Sequence, residues 1–140
     1  MQNTTSMSPS PIGKNGDKSA FPHLQGHQFM SLTTFRKSGA PVPTPVWFAQ
    51  VDGVLYALTL PDSGKVKRIR NNAQVEVTPC NARGELLGAA QEGMARILPP
   101  DDSSKADKAL SQKYGLMKRL MGFFSVLRGK HHLYLEISPM

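Results

Sequence analysis

Residues 46–59 read VWFAQVDGVLYALT: two runs rich in β-branched and aromatic residues, separated by Asp52-Gly53. Asp-Gly between such runs is a strong hairpin signal, because the tight turns that match strand twist need positive φ at their centre. The pattern predicts a strand over 42–51, a two-residue turn and a strand over 54–60. Upstream, residues 28–36 (QFMSLTTFR) have strand composition, and KSGAP reads as a turn with Gly39 available for positive φ. Downstream, QVEVTPC (74–80) alternates as a fourth strand. A turn at Arg83-Gly84 leads into GAAQEGMARIL (88–98), a fifth strand expected to bulge near Gly93. HHLYLEI (131–137) closes the chain with Leu133, Leu135 and Ile137 on one face.

Two segments interrupt this β pattern. PDSGKVKRIRNNA (61–73) predicts a short helix capped by Asp62 or Ser63, with Val66, Ile69 and Ala73 on one face. After the break at 99–103, residues 104–128 predict a helix interrupted at Gly115 and Gly122. Six strands with two helical insertions predict a mainly β fold, a small antiparallel barrel.

The second strand carries Pro41, Pro43 and Pro45 at alternate positions. Alternate residues direct their main-chain groups to the same edge, so these prolines remove successive donors from one edge and spare the other. That edge must be unpaired. It is either an ordinary sheet boundary protected against aggregation or a gap that receives a flat ligand. On the second reading the main-chain amides of Thr44, Val46 and Trp47 lie near the ligand.

The chain has 140 residues, 39% of them hydrophobic, which fits one domain. Residues 1–20 lack aromatics, and we place the boundary between a disordered tail (1–25) and the domain (26–140) at the first strand. The tail lacks the continuous apolar core of a signal peptide, and no apolar run reaches membrane-spanning length. A single cysteine, Cys80, excludes an internal disulfide and predicts a cytoplasmic protein.

A formal charge of +7 favours phosphate-bearing partners without choosing among them. Lys65, Lys67, Arg68 and Arg70 concentrate that charge after the hairpin. Thr59, Ser63, the helix-end amides around Gly64, Lys65 and Arg68 could form a phosphate clasp. The alternative is a solvated basic face. Nucleic acid fits less well, since 61–76 carries no aromatic for base stacking. His23 and His27 have an i, i+4 spacing, but Pro22 and Gly26 argue against a helix there, and a zinc site needs more ligands than lone Cys80 and distant histidines supply. No catalytic acid or base is legible. The basic, apolar segment 116–130 suits a core or subunit interface better than a membrane surface.

LTTFRKSGAPVPTPVWFAQVDGVLYALT (32–59), SGKVKRIRNNAQVEVTPCNARGELLG (63–88) and GMARIL (93–98), in that order, resemble the pyridoxamine 5′-phosphate oxidase-like split β-barrel family. The nearest likeness is to its deazaflavin-dependent oxidoreductase branch. The resemblance covers residues 29–98 and thins over 99–138. It implies a homodimer with FMN or a deazaflavin coenzyme at the subunit interface and a small unsaturated substrate. Thr44, Pro45, Val46 and Trp47 would run beside the ring, and Thr59, Ser63, Gly64, Lys65 and Arg68 would hold the phosphate. The family's Trp/Arg/His-containing C-terminal signature is missing from HHLYLEISPM, which argues against vitamin B6 oxidation. Related barrels bind haem or reduce bilins, so non-enzymatic binding remains the alternative, ahead of a nucleic-acid-binding barrel.

Overall fold

The computed structural model describes residues 20–121 and 133–140, and residues 116–121 as backbone only. Six strands form a closed antiparallel barrel: β1 (Phe29–Phe35), β2 (Pro41–Val51), β3 (Val54–Thr59), β4 (Gln74–Cys80), β5 (Gln91–Leu98) and β6 (Leu133–Pro139). Around the barrel they run β1-β2-β3-β6-β5-β4, with β4 returning to β1. Helix α1 (Gly64–Asn71) lies between β3 and β4, and helix α2 (Ser104–Met121) between β5 and β6. The expected hairpin forms with φ of 54° at Asp52 and 80° at Gly53, the positive-φ pair that Asp-Gly tolerates best.

Alternation sorts each strand between two apolar layers. Met30, Leu32, Val46, Phe48, Leu55, Ala57, Val75, Val77, Ala95, Leu135 and Ile137 fill the barrel. Tyr56, Leu98 and Tyr134 face outward and meet Ala106, Ala109, Leu110 and Tyr114 of α2. Val66 and Ile69 of α1 are buried, and Ile69 joins the interior core. Here the helical spacing read from the sequence is the observed one, while Ala73 falls beyond the helix and its carbonyl accepts from the Ala95 amide at 2.8 Å.

Three expectations need correction. Residues 20–25 belong to the barrel rather than to a tail. A 3₁₀ turn at Pro22–Leu24 inserts Phe21 and Leu24 into the core, where both are at most 2% exposed. The Gln50 side chain locks Phe21, accepting from its amide at 3.0 Å and donating to its carbonyl at 3.3 Å. Gln91 donates to the Ala20 carbonyl at 2.7 Å. One aromatic outside any strand carries this plug, so strand periodicity gave no sign of it.

Second, β5 does not bulge. Its pairing runs in unbroken register from Gln74↔Met94 to Val77↔Gln91 and from Gly93↔Pro139 to Leu98↔Tyr134. Gly93 is needed for space: a Cβ there would lie 2.9 Å from both Ile137 Cγ2 and the Ser138 carbonyl, with Phe21 just beyond. Third, α2 departs from helical geometry at Tyr114 (φ −114°, ψ 15°) and not at Gly115. The expected break at Gly122, the remainder of the 104–128 helix, His131 and His132 lie outside the described residues, as do the side chains of the basic amphipathic segment.

Phe21→Ala empties a fully buried site and should lower stability by about 3–5 kcal/mol, read from urea denaturation. An unchanged midpoint would restore the tail boundary at residue 25.

Candidate functional site

The prolines shape the barrel's opening. β2 pairs with β1 from Pro41 to Trp47 and with β3 only from Phe48 to Val51. The Arg36 amide donates to the Ala40 carbonyl at 2.9 Å, which fixes the even-numbered residues of β2 as the hydrogen-bonded positions opposite β1. Thr44 and Val46 therefore turn their amides toward β1, not toward the gap. Pro41, Pro43 and Pro45 turn their carbonyls the other way, toward the side that β3 leaves unpaired. From 41 to 45 this edge carries acceptors and no donor. The expected unpaired edge is present; of the three amides expected beside it, only that of odd-numbered Trp47 faces it, and from 41 to 45 it offers acceptors instead.

Continuing the β2–β3 register past Phe48↔Ala57 would set Val46 opposite Thr59, but the strands have parted and Thr59 pairs with Leu133 of β6. The gap thus leads from the proline edge toward Thr59 and the start of α1. Thr59 Oγ1 and Ser63 Oγ are hydrogen-bonded at 3.1 Å. Ser63 stands at the N-cap position, yet its side chain makes no capping bond; neither it nor Asp62 caps the helix. The first-turn amides of α1 keep the partial positive charge of an uncapped helix end.

Two cations converge on that end. Arg68 Nε donates to Thr34 Oγ1 at 2.6 Å, and Thr34 is fully buried on the inward face of β1. Its guanidinium lies over Gly64, where a Cβ would come within 2.7 Å of Arg68 Nη1. Burial, and then the charge of Arg68, hold the Lys65 ammonium below its ordinary range. Among the described residues neither Lys65 nor Arg68 has a carboxylate in an ion pair. The basic run divides into an exposed pair, Lys67 and Arg70, and a half-buried pair, Lys65 and Arg68.

Thr59, Ser63, Gly64, Lys65 and Arg68 are thus gathered at one end of the gap, and Thr44, Pro45, Val46 and Trp47 border it. Sequence reasoning missed Thr34, which orients Arg68. Its signal was the alternation of Met30, Leu32 and Thr34, which directs a hydroxyl into the apolar barrel. Among the described residues no cluster of His, Cys, Asp and Glu could hold a metal ion, and no helix is long and apolar enough to cross a membrane.

Two half-buried cations, two hydroxyls and an uncapped helix end, with no carboxylate ion-paired to them among the described residues, have the chemistry that suits a phosphate monoester dianion. An anion between them favours protonated Lys65, so binding takes up a proton wherever the free ammonium has begun to titrate. Affinity should fall on the alkaline side, starting below the pH at which an ordinary lysine loses its proton. In Lys65→Arg the fall should disappear, because guanidinium stays charged. Titrations with a phosphate monoester between neutral and alkaline pH read this directly; identical profiles for the two proteins would remove Lys65 from the clasp.

A family model described as pyridoxamine 5′-phosphate oxidase matches residues 18–132. No curated protein matches the chain. Among solved structures it is similar to an FAD-binding protein from Mesorhizobium loti (TM-score 0.62, 17% identity, covering 84% of this chain and 83% of that one). It is also similar to the heme storage protein HutZ of Vibrio cholerae (TM-score 0.60, 14% identity, 91% and 92%). A third likeness is to General Stress Protein 26 of Bacillus anthracis (TM-score 0.59, 22% identity, 84% and 84%). At these identities the neighbours speak for the fold alone. The barrel order, the α1 insertion and a family match spanning most of the sequence agree: the chain belongs to the pyridoxamine 5′-phosphate oxidase-like family of β-barrels.

Proposed function

We propose that this protein is an oxidoreductase that binds FMN or a deazaflavin coenzyme and transfers hydride to or from a small unsaturated substrate. The observation that supports the reading is the clasp itself: Lys65 and Arg68, without a carboxylate ion pair among the described residues, beside a helix end whose Ser63 hydroxyl is turned to Thr59 instead of capping it. Bound there, the cofactor would supply the hydride chemistry through its ring.

The residues of this chain do the rest. Lys65 and Arg68 neutralise the phosphate, Thr59 and Ser63 hydrogen-bond it, and Thr34 holds the Arg68 fork in place. Pro41, Pro43 and Pro45 keep β3 away, so the gap stays open to a flat ring. Their carbonyls favour a ring that brings its own donor, as the imide N–H of flavins and deazaflavins does. Haem offers no such N–H on its periphery, which favours the flavin reading over a haem-binding one. No acid or base is assigned, so the residues contribute binding and orientation.

The same reading includes a second copy of the chain. Leu86 and Leu87 are 63% and 54% exposed on the 81–88 turn, and a Cβ at Gly84 would sit 4.0 Å from Pro45. An apolar border beside the gap suits a partner subunit that covers the ring.

Purified, cofactor-free protein titrated with FMN and with the deazaflavin coenzyme, followed by fluorescence, tests the proposal. Micromolar or tighter binding of one of them by a dimer, measured by light scattering in the same samples, is the expected result. Binding of neither, or tight binding to a monomer, counts against it.

A further inference from the structure

Helix α2 packs against the outside of the barrel, far along the chain from the proline edge. Yet its Lys113-Tyr114 pair reaches the point where β2 changes partner. The β1–β2 ladder ends at Phe29↔Trp47, and the β2–β3 ladder begins at Phe48↔Ala57. One further step of the first ladder would pair Gln28 with Phe48. The Tyr114 hydroxyl occupies that step: its oxygen lies 2.6 Å from the Gln28 carbonyl and 2.6 Å from the Phe48 carbonyl, and accepts from the Phe48 amide at 3.3 Å. A phenol thus substitutes for the missing strand pair and satisfies buried main-chain groups. Burial raises the phenol well above its ordinary range, so it keeps the single proton it can donate to one or the other carbonyl.

The same residue holds the neighbouring side chain. The Tyr114 ring stacks on Trp47 with centroids 5.1 Å apart and planes 16° from parallel, while Phe29 meets Trp47 edge-on at 5.8 Å. Lys113 Nζ donates to the His27 carbonyl at 2.7 Å and sits 3.8 Å over the Phe48 ring. Two consecutive α2 residues therefore grip the start of β1 and the turning point of β2. The departure from helical geometry falls at Tyr114 itself.

We infer that Tyr114 is a positioning residue for the ring half of the site, fixing Trp47 and the adjoining β2 backbone at the end of the gap. The inference rests on the flavin reading above and assigns the ring and the phosphate to separate supports: α2 for one, α1 and Thr34 for the other. A purely structural Tyr114 would support the barrel without affecting how a ring is held.

The test compares wild-type protein with Tyr114→Phe, which keeps the stack and loses the hydroxyl, and with Trp47→Leu, which loses the stack from the other side. Riboflavin, which has the ring without the phosphate, is the first probe. Its affinity should fall by about tenfold in each variant, the scale of one lost buried hydrogen bond or aromatic contact. The visible circular dichroism of bound FMN should change with it, while inorganic phosphate binds as in wild type. If Tyr114→Phe binds riboflavin as wild type does, with the same FMN spectrum, Tyr114 is structural only and this inference fails whatever Trp47→Leu does, while the flavin reading stands. If wild type binds neither riboflavin nor FMN, both fail. Should Tyr114→Phe not fold, Tyr114→Trp, which keeps an aromatic ring against Trp47 without the phenol oxygen, carries the same comparison.

Discussion

Proline cannot donate a main-chain hydrogen bond, and Pro41, Pro43 and Pro45 put that deficit on one edge of one strand. The candidate site depends on this constraint. With the amides of positions 41, 43 and 45 removed, β2 pairs with β1 from Pro41 and with β3 only after Trp47. The barrel still closes, because the other strands pair normally and β4 returns to β1. What remains is a local parting of β2 and β3 that neither unfolds the sheet nor exposes its core. An opening built this way is open by covalent structure rather than by fluctuation.

The opening has distinct ends. At one, α1 brings cations and a free helix terminus over Thr34 and Thr59. At the other, α2 inserts the Tyr114 phenol where strand pairing stops. The two α-helices are inserted between strands, and each contacts the barrel near one end of the gap, α1 through Arg68 and Thr34, α2 through Tyr114 and Phe48. A ligand with a flat ring and a phosphate has this same two-part character, which is why geometry and family membership lead to one reading.

Much of this was legible in the sequence because it rests on local chemistry. Asp52-Gly53 fixes its hairpin through backbone φ, and Val66 and Ile69 mark a buried helix face. The alternate prolines announce an unpaired edge. The rest depends on contacts between distant segments. Phe21 plugs the barrel, held by Gln50 on Phe21 itself and by Gln91 on Ala20, neither of which has a local pattern pointing back to it. Gly93 carried a bulge-like signature but serves a steric purpose set by Ile137 and Phe21. The direction of the Thr44 and Val46 amides was legible as well: once the proline edge is the unpaired one, even-numbered amides must face the paired side, and expecting them beside the ligand overlooked that parity. Tyr114 reaches Phe48 across 66 positions of sequence, and nothing near either residue encodes the match.

The central claim is that Lys65, Arg68 and the start of α1 form a clasp for the phosphate of a ring ligand. The most direct measurement is the ratio of FMN to riboflavin affinity for the wild-type protein, by calorimetry at one ionic strength. The account predicts at least about a hundredfold preference for FMN, the scale of two charge-assisted hydrogen bonds. Equal affinities would show that the phosphate meets no clasp, and would return the basic cluster to the role of a solvated surface.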